Sequence, residues 1–124
     1  MNGPPSSTPD EAWASKRLEA ERVLILNHLA GLRRGFQEIV EASADSNGDD
    51  EHDPEGSTIA FERSQLKSLI RQAERHLHDL QNARMKVASG TYGLCETCGQ
   101  PISAARLDAR AVARRCIACE ALSR

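Results

Sequence analysis

Hydrophobic positions along this chain fall into two long rows with a polar break between them. In the first row, Leu18, Ile25, Leu29, Leu32, Phe36 and Ile39 follow one another at steps of 7, 4, 3, 4 and 3. That is a heptad seam, with Arg22 filling the one skipped position. In the second row, Ile59, Leu66, Ala73, Leu80 and Val87 recur every seven residues, and Leu69, Ile70 and Leu77 widen the stripe. Both rows predict long helices. The first opens at Thr8-Pro9-Asp10-Glu11, which reads as a capping box. Thr8 is the N-cap, Pro9 takes the first helical position without losing a needed N–H, and Glu11 reaches back. This helix stops near Ala44. The second starts around Ser57 or Thr58 and ends at Ser89-Gly90, with Gly90 just past the last turn. Gly31 and Gly35 interrupt the first pattern, each at about 1 kcal/mol in a helix interior. They mark either a close helix approach or a bend.

Asn47-Gly48, Asp53-Pro54 and Glu55-Gly56 are turn signals within Asp45 to Ser57. Two single-seam helices joined by so short a break predict an antiparallel coiled-coil hairpin, on the order of 45 Å long. The expected layout is therefore a disordered Pro/Ser/Gly-rich start at 1–8, a helical hairpin at 9–89 with a tip loop at 45–57, and a separate module at 90–124. Trp13, at the start of the first helix, is expected to pack at the hairpin base.

The last module holds every cysteine of the chain. Cys95-Glu96-Thr97-Cys98 is followed, seventeen residues on, by Cys116-Ile117-Ala118-Cys119. Two such pairs can converge four thiolates on one tetrahedral ion. Four protein ligands leave no open position for water or substrate, so the ion is expected to be a structural zinc and the protein not an enzyme. Iron suits the same sulfur cage. A thioredoxin-like redox pair would want a βαβ pattern, which is missing. A disulfide framework would want a secretory leader, and Met-Asn-Gly-Pro-Pro has no apolar core for one. No apolar run approaches membrane-spanning length. A cytoplasmic monomer is the resulting expectation. His28, His52, His76 and His78 are not needed as ligands.

Charge changes the picture at one place. The net charge is -2 and aromatics make up only 3% of the chain, which favours a thin helical core and disfavours a general nucleic-acid binder. Yet Glu41 to Glu55 holds seven acids and no Lys or Arg. Such a block is either a solvated connector or a probe aimed at cations or a basic surface.

Taken together, Gly90-Thr91-Tyr92-Gly93-Leu94-Cys95-Glu96-Thr97-Cys98-Gly99-Gln100-Pro101-Ile102, then Arg106-Leu107-Asp108-Ala109-Arg110, then Cys116-Ile117-Ala118-Cys119, resemble the DksA/TraR zinc-finger signature. The hairpin with its acidic tip matches that family in architecture. The resemblance implies a bacterial transcription regulator that binds RNA polymerase through the secondary channel, without reading DNA sequence. Asp49, Asp50, Glu51 and Asp53 would approach the polymerase active site. The family tip often carries Asp-x-x-Asp-x-Ala; here Gly56 stands for the second Asp and Thr58 for the Ala. Some members respond to guanosine tetraphosphate in the stringent response. The resemblance carries Arg110 over as a polymerase or nucleotide contact, whereas Glu120 stands where a basic residue is expected. Two other readings remain open: a GATA-like DNA-binding finger, which shares the cysteine spacing, and a polymerase accessory factor of the transcript-cleavage type.

Overall fold

The computed structural model describes residues 11–46 and 54–123. Four helices follow in order: α1 (Glu11–Ser46), α2 (Pro54–Ser89), α3 (Ala104–Ala109) and α4 (Ile117–Leu122). Extended pairing among the described residues is limited to one antiparallel bridge, Leu94 to Pro101. The fold is mainly α, with α1 packed on α2 and a four-cysteine segment after them. The residues group into two compact units, Val23–Leu77 and the combination of Met1–Arg22 with His78–Arg124. Among the described residues no helix is long and apolar enough to cross a membrane.

In Val23–Leu77 the predicted seam faces inward. Leu29 and Ala73 are buried, and Ile25, Leu32, Phe36, Ile39, Leu66, Ile70 and Leu77 are half-buried. Fully removing a leucine from water contributes about 1.5–3 kcal/mol, so each closed position along such a thin seam counts. Two contacts give the direction of the helices. Arg33 Nη2 meets Glu74 Oε2 at 2.8 Å, and the Lys67 ammonium lies 6.0 Å from the Phe36 ring centre. Rising numbers on α1 meet falling numbers on α2, so the pair is antiparallel. Leu69 departs from the expected stripe and is 38% exposed. The seam passes through Leu66, Ile70 and Ala73, and one residue off it turns the side chain about 100° away.

In the other unit Ala14, Leu18, Leu80, Ala83 and Val87 are buried where α1 begins and α2 ends. Glu19 Oε1 and Arg84 Nη2 face each other across this pair at 3.9 Å. A Schellman motif closes α2. Thr91 N–H donates to the Lys86 carbonyl at 2.9 Å and Gly90 N–H to Val87 at 3.2 Å, with Gly90 at φ 78°. Lys86 in the last turn also suits the negative end of the helix dipole.

Both helices run further into the break than the sequence patterns indicate. α1 continues through Ser46, and α2 begins at Pro54 rather than at Ser57 or Thr58. Proline fits the first helical position because its φ is preset and its missing N–H has no partner there. Pro54 therefore marks a helix start, and Pro54 to Ser57 leave the expected tip loop. The capping residues Thr8 and Pro9 and the acids Asp49, Asp50, Glu51 and Asp53 lie outside the described residues.

Neither glycine of α1 is a forced close approach. A methyl at Gly31 would meet Arg34 Nη2 at 3.8 Å, and one at Gly35 would meet Leu66 Cδ1 at 3.8 Å, both ordinary contact distances. Gly31→Ala is therefore expected to stabilise the fold by about 1 kcal/mol, through helix propensity and a less free unfolded chain. Chemical denaturation of the two proteins measures it; destabilisation would show that the position needs glycine after all.

Candidate metal centre

Backbone hydrogen bonds build the first knuckle. Cys95 N–H donates to the Gln100 carbonyl at 2.8 Å, and Gly99 N–H to the Cys95 carbonyl at 3.0 Å. Gly99, at φ 76°, supplies the left-handed residue that this tight turn requires. The turn aims two further N–H groups at the Cys95 sulfur, from Thr97 at 3.4 Å and Cys98 at 3.5 Å. The second knuckle is a helix start. Cys116 is the N-cap of α4 and Cys119 lies in its first turn, so the two sulfurs emerge on one side.

All four Sγ atoms lie within 4.8 Å of one another, with Cys98 and Cys116 at 3.9 Å. A tetrahedral zinc with bonds of about 2.3 Å needs sulfurs about 3.8 Å apart. The cage therefore fits one zinc ion, which Cys95, Cys98, Cys116 and Cys119 would hold, and among the described residues no histidine joins them.

The protonation of the sulfurs shows why an ion belongs there. The Cys95 thiol is pulled down to about 6, first by the Cys98 N–H and further by those of Cys116 and Thr97. The Cys119 thiol is pushed up to about 12, first by the Cys116 sulfur beside it. One thiolate forms readily and the last resists, since like charges crowd the same few ångströms. A divalent cation removes that opposition and takes all four as thiolates.

Around the cage sits a small core of Cys95, Ile102 and Leu107, with Tyr92 and Ala113 packed against it. Tyr92 donates its hydroxyl proton to the Ala111 carbonyl at 2.7 Å. α3, which the cysteine spacing did not reveal, brings Leu107 into this core. Its signal was Ser103, whose hydroxyl accepts the Arg106 N–H at 3.2 Å as an N-cap.

Two charged clusters flank the metal. Glu96, between the first two ligands, accepts from Arg114 and from Lys86 and is held down at about 2, first by Arg114 and then by Lys86. At the start of α1 the Arg17 guanidinium lies 5.6 Å from the Trp13 ring centre, 2.6 Å from Glu21 and 3.7 Å from Asp108 of α3. Trp13 is half-buried at the end of the hairpin that carries the finger, as expected. Arg110 is exposed and lines a shallow depression of about 160 Å³ with Asp79, Arg106, Arg114, Arg115 and Glu120. Glu120 pairs with Arg115 at 3.4 Å, so the surroundings of Arg110 are mixed in sign.

Two measurements check this centre. Cys116→Ala is expected to yield its zinc to a chromogenic chelator that leaves the native protein loaded. Because zinc binding contributes on the order of 10 kcal/mol to folding, the NMR amide dispersion of the finger should collapse with it. A finger still dispersed without metal would contradict the site. The second uses the only tyrosine of the chain. Burial, first, pushes Tyr92 up to about 12 from 10.0. Its stabilising contribution is thus whole below pH 10 and is lost as pH rises through 12. Ultraviolet titration of tyrosinate should find a midpoint near 12 in the zinc-loaded protein and near 10 in denaturant.

Comparison with known proteins accords with the geometry. Residues 90–123 match the family described as prokaryotic dksA/traR C4-type zinc finger. General stress protein 16O of Bacillus subtilis is 30% identical over 95 residues, which is 75% of this chain and 58% of that protein. The RNA polymerase-binding transcription factor DksA of Escherichia coli is 30% identical over 114 residues, 91% of this chain and 65% of that protein. The chain thus spans less than two thirds of the length of these relatives. The solved structure of transcription factor DksA2 from Pseudomonas aeruginosa matches at a TM-score of 0.53 and 22% identity, covering 93% of this chain and 89% of that one. With four sulfurs at zinc distances inside the matched segment, residues 90–123 are a structural zinc finger of the DksA/TraR C4-type family, carried on a helical fold shared with DksA2.

Proposed function

We propose that this protein is an RNA polymerase-binding transcription regulator that acts through protein contact and not as an enzyme. The observation that carries the reading is the extent of the likeness to DksA. It runs through 91% of this chain, so it takes in the helices as well as the finger. In this reading the helical hairpin enters the secondary channel of polymerase and carries Asp49, Asp50, Glu51 and Asp53 toward the active site. Carboxylates on an already ordered support lose little entropy on docking, which favours their use against Mg²⁺ or basic groups that handle phosphates. The regulator works as a cytoplasmic monomer.

Direct sequence-specific DNA binding is not part of the proposal. A DNA-reading finger needs free cations for phosphates. Here Arg114 and Arg115 are engaged with Glu96 and Glu120. Arg110 is the contact carried over for polymerase or for guanosine tetraphosphate. Asp79 and Glu120 beside it lower the affinity expected for a polyphosphate, so nucleotide dependence should be slight.

Capture by core RNA polymerase at micromolar concentration and moderate salt tests the reading; no retention of the zinc-loaded protein would sink it. Asp53→Asn is expected to weaken the effect on transcription in vitro by more than it weakens capture. Equal loss of both would remove the tip from its assigned role. A salt-sensitive gel shift on duplex DNA would instead favour the DNA-binding alternative.

A further inference from the structure

Metal ligation accounts for the inside of the finger but not for its orientation on α2. The covalent link between them is short and pliable. Only Gly90 to Leu94 separate Ser89 from Cys95, and Gly90 and Gly93 both take positive φ, at 78° and 87°. Something besides the main chain must set the angle.

Glu96 is placed to do so. Its backbone is fixed in the knuckle between Cys95 and Cys98, and its N–H donates to the Arg114 carbonyl at 2.9 Å. Its carboxylate receives Arg114 Nε at 3.0 Å on both oxygens and Arg114 Nη2 at 2.9 Å. Arg114 stands two residues before Cys116, so this half of the network joins one knuckle to the other. The other half leaves the finger: Lys86 Nζ, from the last turn of α2, pairs with the same carboxylate. Each member is held by its own main chain: Lys86 by the helix and its cap, Glu96 by the turn, Arg114 by its carbonyl. The entropy left to oppose the network is therefore that of the side-chain rotamers and not of the main chain. A second tie, Arg17 to Asp108 at 3.7 Å, is long, and Asp108 is 79% exposed, so it leaves the main constraint to Glu96.

We propose that Glu96 is a positioning residue, which through Lys86 fixes the orientation of the zinc finger on the last turn of α2, while the metal fixes only the finger's internal fold. Its consequence for polymerase rests on the function proposed above. A regulator that docks by both finger and hairpin needs them at one set angle, and a free finger would lower affinity without losing zinc.

The test uses the zinc-loaded full chain and Lys86→Met, nine residues before the nearest ligand. Residual dipolar couplings are measured for the finger amides and for residues 11–22 and 78–89. In the wild type and in Lys86→Arg, all should fit one alignment tensor. In Lys86→Met, zinc content should stay at one per chain and the finger couplings should remain self-consistent. They should then require a second, weaker tensor, with about tenfold faster amide exchange from Gly90 to Leu94. Glu96→Gln keeps the side-chain volume, removes the charge and should behave alike, so a poorly folding Lys86→Met does not end the test. One tensor for both variants overturns the proposal. So does zinc loss from Lys86→Met, which would mean that the pair supports the cage and not the angle. If the wild-type protein fails to bind polymerase, the regulatory reading falls while the tensor result stands by itself.

Discussion

Like charge at close range is the constraint on which this structure turns. Four sulfurs within 4.8 Å cannot all ionise unless a cation lies among them. Without the ion, the cluster of Cys95, Ile102 and Leu107 is too small a core to hold thirty-odd residues together. With it, the two knuckles become fixed turns. Those turns aim the groups between them: the Glu96 side chain outward to Lys86 and Arg114, and the main-chain carbonyl of Ala111 toward Tyr92. The polar features around the metal are arranged by main chain that the metal holds.

The helices rely on a different economy of contacts. Small residues, Ala14, Ala73 and Ala83, are among the buried positions of their seam. Alanine there leaves few places for large side chains to close over the core. Charged residues flank the seam and pair across it, Arg33 with Glu74 and Glu19 with Arg84. Such exposed pairs contribute at most about 1 kcal/mol each. They specify direction and register more than stability.

The seams and the ligand set were legible because each rests on a strict period or spacing. Leu18, Leu29, Leu80 and Val87 could hardly face anywhere else once the heptad was recognised. Leu69 was misread because hydrophobic character does not report angle, and one step from Ile70 leaves the seam. Pro54 was misread because Asp-Pro serves both as a turn and as a helix start, and sequence alone does not separate them. α3 was missed because six residues are too few to show a period; only the Ser103 cap signalled it. The ligands were plain from their spacing, but the Lys86–Glu96–Arg114 network joins residues ten and eighteen positions apart through turns that no local pattern encodes. The four acids assigned to the tip, Asp49, Asp50, Glu51 and Asp53, lie outside the described residues.

The unbroken passage from α2 into the finger has a consequence for how this chain can vary in length. α2 is a single helix up to Ser89, and the first ligand follows six residues later. A residue inserted in its last turns would rotate everything downstream by about 100° about the helix axis and advance it about 1.5 Å. Asp108 would then lose its alignment with Arg17 of α1, with every ligand intact. Insertions and deletions at this end should therefore survive only as whole heptads, which restore the phase. The finger and the seam are geared together, and the gear has seven teeth.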